Sequence, residues 1–158
     1  TKPIDEKHLF EIIQKWLSNT IPKNDFIHTD MENILSEDEI DFINNAEWDE
    51  IDISDALHRI MDNKSLLKKV LLSYRNEFSN STDELRKFID SSNIDKAIFI
   101  AHSIKGTSAN ISAYNISETA EKLEKALSNN SKADYDALLS KLEKSLNLLL
   151  ISIKNNIK

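Results

Sequence analysis

The sequence predicts an all-α protein, an up-down-up-down four-helix bundle with extra helices on its N-terminal side. Three observations carry this. The 158 residues include one Gly and two Pro, too few turn-formers for the tight turns between the strands of a sheet. Apolar residues recur at three-four spacing through most of the chain, the period of a helix with one buried face. The breaks between periodic segments are short, and helices joined so briefly pack as antiparallel neighbours.

The elements follow in order. Leu9, Ile12, Ile13, Trp16 and Leu17 share a face behind Asp5, which is placed to cap a helix. One amphipathic helix cannot bury its own apolar face, so it has to dock on the bundle or on a neighbouring copy. Residues 19–47 read as a linker. Pro22 ends the first helix, and Ser36 with Glu39 makes a capping box for a short one that buries Ile40, Phe42 and Ile43. The acidic cluster there lacks the alternating ligands and central Gly of a calcium loop and reads as a solvated face. Asp52 caps a short helix with Ile53, Ala56, Leu57 and Ile60 inward. One long helix is expected over Lys64–Asp90, its seam running from Leu67 through Tyr74 and Phe78 to Leu85 and Ile89, with Ser81 and Thr82 as a weak point. The next, from about Asn93 to Ser112, turns Ile94, Ala97, Ala101, Ile104, Ser108 and Ile111 inward. Ile116, Ala120, Leu123 and Leu127 line the one after. Tyr135, Leu138, Leu142, Leu146, Leu149 and Ile153 line the last, with Leu139 and Leu150 widening its stripe. The bundle domain is thus read as residues 48–158.

Composition excludes several classes of function. The net charge of −7 disfavours a nucleic-acid partner. With no Cys there is no disulfide framework and no thiolate metal site, which fits a reducing, cytoplasmic setting. The longest apolar run, around Leu148–Ile151, is far short of a membrane span, and no basic-then-apolar signal segment opens the sequence, so no membrane contact is expected of this fragment. His58 has no second ligand four residues on, and His8 and His28 have no spaced partner either, so no metal site is expected.

The stretch Ala101-His102-Ser103-Ile104-Lys105-Gly106-Thr107-Ser108-Ala109-Asn110 holds a histidine, a lysine three residues later and the only glycine. On a helix His102, Lys105, Gly106 and Ala109 form one surface patch. At about 100° per residue His102 lies well off the inward stripe, so its ring should reach water. Gly within a helix costs about 0.5–1 kcal/mol relative to Ala. A side chain at 106 would lean back over the preceding turn, toward His102. Gly106 leaves that space open, and Lys105 adds a cation. An accessible imidazole, an adjacent ammonium and a cleared approach suggest a phosphoryl acceptor on nitrogen. The plain alternative is a surface His beside a Gly that only permits close helix packing.

The decapeptide closely resembles the signature of histidine-containing phosphotransfer (HPt) domains. Ile53-Ser54-Asp55-Ala56-Leu57 with Asn63 resembles that family's first helix, and Glu118 to Leu127 the helix after the phosphorylated one. The sequence departs from the family at Ser112 and Asp62, both frequent Gly positions. The resemblance implies a phosphorelay. A receiver domain bearing an aspartyl phosphate docks over His102, and the neutral imidazole attacks phosphorus through its outward nitrogen, Nε2. Lys105 neutralises phosphate charge, Gly106 keeps the approach open, and Ile98, Phe99 and Ala109 form an apolar rim for the receiver's docking helix. Mg²⁺ would come with the receiver, and the module itself would need no cofactor and have no kinase activity. Lys2-Pro3-Ile4-Asp5 followed by Leu9, Phe10 and Trp16 resembles the end of a receiver domain. Residues 1–18 would then be a receiver remnant, and the parent a hybrid sensor histidine kinase, a class compatible with an inner-membrane anchor elsewhere in the chain. Three rivals remain at this point: a non-catalytic helical interaction module, a histidine kinase dimerisation domain and a metal-binding bundle. The second needs Gly-rich ATP-binding boxes, absent here, and would be a dimer, whereas a monomer is expected.

Overall fold

The computed structural model describes residues 42–43 and 48–157. The expected receiver-end helix, residues 1–18, and most of the 19–47 linker lie outside the described residues. The rest is helical, without strands among the described residues: α1 (Ile53–Arg59), α2 (Lys64–Phe78), α3 (Ser81–Asp90), α4 (Ile94–Asn110), α5 (Tyr114–Ser128) and α6 (Tyr135–Asn156), with a short 3₁₀ turn, Lys132–Asp134, before α6. Successive elements pack as α3–α4, α4–α5 and α5–α6, and α6 closes the bundle against both α2 and α3.

The expected Lys64–Asp90 helix is two helices that share one wall of the bundle. Ser79 and Asn80 interrupt it. The Ser81 hydroxyl donates to the Phe78 carbonyl (2.9 Å) and the Ser79 hydroxyl to that of Asn76 (3.3 Å). Short polar side chains that compete for backbone carbonyls open the ladder where they cluster.

The core is the inward stripe of each helix. Leu67, Leu71, Leu85, Ile104, Leu123 and Leu142 are all at most 1 % exposed. Each such side chain contributes about 1.5–3 kcal/mol by leaving water. In α6, Leu139 lies deeper in the core than Leu138. Ser108 sits in the apolar stripe of α4 because Tyr74 on α2 meets it, hydroxyl to hydroxyl at 2.8 Å. Burial pushes the Tyr74 phenol well above its ordinary pKa, against the smaller opposing effect of that bond. Phe42, Ile51 and Ile157 join the same core, with Trp48 half-buried against it and donating its indole N–H to the Phe42 carbonyl.

Four of the described helices end in one way. After α1, α3, α4 and α5 the residues Met61, Ser92, Ser112 and Asn130 take positive φ, 54° to 62°. The following N–H reaches back five residues, as Ala113 does to the Ser108 carbonyl and Asn93 to that of Phe88. This is the Schellman cap, which usually has Gly at the left-handed position. Here none of the four is glycine. Asp62, after Met61, is left-handed as well.

Candidate functional site

α4 positions His102. Asn93 opens the helix, the Ser112 cap closes it, and His102 is its ninth residue of seventeen. Ala97, Ala101, Ile104 and Ser108 are buried, which turns the opposite side of the helix outward. Phe99, His102 and Gly106 lie there at three-four spacing. The imidazole is 65 % exposed. Gly106 is exposed, has helical backbone, and a Cβ built on it would meet nothing within 4 Å. Phe99 is 74 % exposed, the most exposed large apolar side chain described. Ala109 is intermediate. Ile98 is also intermediate and leans on the core, so only part of its surface is open to the expected rim.

Lys105 meets a residue that sequence reasoning did not assign. Glu124, on α5, accepts from the Lys105 ammonium through Oε2 (2.5 Å) and lies 2.7 Å from His102 Nδ1 through Oε1. An ionised carboxylate can only accept, so Nδ1 carries the proton and donates. In the neutral ring Nε2 is then the nitrogen with the lone pair. Glu124 is only 18 % exposed. That burial pushes its carboxyl up, but the hydrogen bonds from Lys105 and His102 and their charges outweigh it and hold the group below its ordinary value. The α4–α5 register that brings these residues together is itself fixed, since the Ser117 hydroxyl donates to the Lys105 backbone carbonyl (2.9 Å).

A second polar cluster holds the far end of α4. Asp55 of α1 accepts from Ser112 (2.6 Å), Tyr114 (2.5 Å) and Arg59 (2.9 Å), and Arg59 also donates to the Tyr114 hydroxyl. The hydrogen bonds from Ser112 and Tyr114 hold the Asp55 carboxyl at about 2 against an opposing desolvation, with a lesser contribution from the Arg59 guanidinium. The Asp52 N–H donates to the Ser112 carbonyl at the same corner. Ser112, one of the two departures from the family pattern, is therefore both the left-handed cap residue and a donor in this clasp.

Among the described residues no cluster of three His, Cys, Asp or Glu is placed to hold a metal, and no helix is long and apolar enough to cross a membrane. A family model described as "Hpt domain" matches residues 69–151, more than half of the chain. Searches of curated proteins and of solved structures return no match.

Proposed function

The chain belongs to the Hpt domain family, and on that premise we propose that His102 is its phosphoacceptor, taking a phosphoryl group from a receiver-domain aspartate and passing it to another receiver. Members of this family are phosphotransfer modules of phosphorelays without kinase activity. The observation that carries the assignment is the state of one ring: an imidazole 65 % exposed in mid-helix, its Nδ1 held by Glu124, beside a glycine with open space above it. Phosphoryl transfer asks mainly for positioning and charge stabilisation. A ring fixed through Nδ1 presents Nε2 to an in-line phosphorus, and the gap at Gly106 admits a second protein.

Phe99 is the principal docking residue, with Ala109 and the exposed part of Ile98 beside it. An apolar side chain so exposed, at the same spacing as the acceptor, suits burial under an apolar helix of the receiver. Mg²⁺ arrives with the receiver. The parent is a hybrid sensor histidine kinase, and this fragment acts in the cytoplasm as a monomer.

The test is phosphate acceptance from a phosphorylated receiver. His102→Gln is expected to lose acid-labile labelling and keep its circular dichroism spectrum and melting temperature. Labelling at the wild-type level would remove His102 from the mechanism. Receiver binding with no labelling of the wild-type protein would favour the non-catalytic interaction module.

A further inference from the structure

The outward side of α6 is not the polar face of a solvated helix. Ile151 is 54 % exposed and Leu148, one turn before it, 45 %. Ile151 and the half-buried Leu150 line a groove between α6 and α2, together with Arg75 of α2 and Lys154 of α6. Among the described residues neither cation takes part in an ion pair. An apolar strip beside two such cations suits an occupant that is apolar and acidic at once.

The chain itself contains one. Residues 24–47 hold eight Asp or Glu and no Lys or Arg. Within them Ile27, Met31, Ile34 and Leu35 recur at the spacing of one helical face, with Asp30 and Glu32 among them. We propose that residues 25–35, which lie outside the described residues, seat in the α2–α6 groove, with their apolar side chains on Leu150 and Ile151 and their carboxylates toward Arg75 and Lys154.

The length of chain allows this. Phe42 is buried in the common core, and Glu50 accepts from Asn115, whose side-chain amide also donates to the Ser145 hydroxyl of α6. The chain thus enters the bundle beside the middle of α6. Ile151 lies about 9 Å farther along that helix, and the residues from Leu35 to Phe42 can span about 25 Å. A second copy of the protein is the competing occupant. Leu148, Leu150 and Ile151 offer far less than the ~1,000 Å² that a stable contact between separate chains buries. A segment tied this closely is present at an effective concentration in the millimolar range.

The groove lies across the bundle from His102. α6 packs on α5 on one side and on α2 and α3 on the other, while His102 and its partner Glu124 stand on α4 and α5. Seated there, the segment leads the preceding part of the chain along the side away from the ring. The approach over Gly106 stays clear.

Paramagnetic broadening in NMR tests this on the whole chain. The protein has no Cys, so Asn155→Cys, exposed and one turn beyond Ile151, takes a single nitroxide. Amides of residues 25–35 should lose most of their intensity in the spin-labelled protein and regain it when the nitroxide is reduced. Arg75→Glu with Lys154→Glu, and separately Ile151→Asp, should restore that intensity and leave the circular dichroism spectrum unchanged, since none of these side chains is buried. No broadening, or broadening that survives both sets of substitutions, would overturn the proposal. An equal mixture of ¹⁵N protein without nitroxide and spin-labelled protein without ¹⁵N reports contacts between copies. Equal broadening of residues 25–35 in that mixture would give the groove to a second molecule and overturn the proposal too. Phosphoramidate, a small donor to imidazole nitrogen that needs no receiver, should label His102 at the same rate in the wild type and in both variants. A changed rate would refute the placement of the segment across the bundle from the ring.

Discussion

On the proposed phosphotransfer Gly106 links stability to function, and two substitutions there pull the two apart. The position is helical, exposed and unobstructed, so Ala fits without displacing anything. It should recover most of the helix penalty of Gly, about 0.5–1 kcal/mol. For a domain of this size that raises the melting temperature by about 2–6 °C. Arg at 106 should also fold, but its side chain leans over the preceding turn toward His102 and fills the approach of a docking protein. Acceptance from a phosphorylated receiver should fall by at least tenfold, while phosphoramidate, being small, should still label the ring. Thermal melts and the two labelling assays on one preparation measure all of this. If Gly106→Ala lowers the melting temperature, the glycine serves helix packing and the reasoning fails. If Gly106→Arg accepts from the receiver at the wild-type rate, the open approach is irrelevant.

Asp55→Asn should destabilise the fold by removing the charged centre of the α1 clasp. The gap between its ordinary value of 3.8 and the folded value of about 2 corresponds to roughly 2 kcal/mol. Solvent screening at a side chain 36 % exposed reduces that to about 1 kcal/mol. Because the folded value is depressed, the contribution is complete above about pH 4 and is lost as pH falls through about 2. Urea melts of the two proteins should therefore differ at pH 7 and converge in acid, and a difference independent of pH would refute the charge argument. Met61→Gly should stabilise by about 0.5–1 kcal/mol, since Gly relieves the left-handed backbone. The Met61 side chain is 68 % exposed, so deleting it sacrifices little apolar burial. A lower urea midpoint would show that its side chain matters more than its backbone.

The sequence made the His102 helix legible and half of the candidate site. His102, Gly106 and the inward stripe of α4 follow from spacing along one helix, which a single periodicity reports. Glu124 does not. It flanks the buried residue Leu123 on α5, and its meeting with His102 depends on how far one helix slides along the other. Periodicity fixes which face turns inward but says nothing about that offset. The Asp55 clasp was hidden for the same reason, since Ser112 and Tyr114 lie 57 and 59 residues away. The break between α2 and α3 had a visible cue in Ser79-Asn80-Ser81, but an apolar seam running past it from Phe78 to Leu85 masks a local interruption. Both helices bury one continuous face.

Where the glycine is, and where it is not, bears most directly on function. Four helix ends among the described residues require a left-handed residue, and each uses Met, Ser or Asn at a conformation that costs a non-glycine side chain about 1–2 kcal/mol. The only glycine stands at none of them. It stands in mid-helix, where its backbone is right-handed and Ala would be more stable. Stability alone would distribute glycine the other way. No neighbouring backbone or side chain claims the space over Gly106, so helix packing does not account for it either. What remains is the ring four residues earlier and, on the proposed phosphotransfer, the second protein that comes within bonding distance of Nε2.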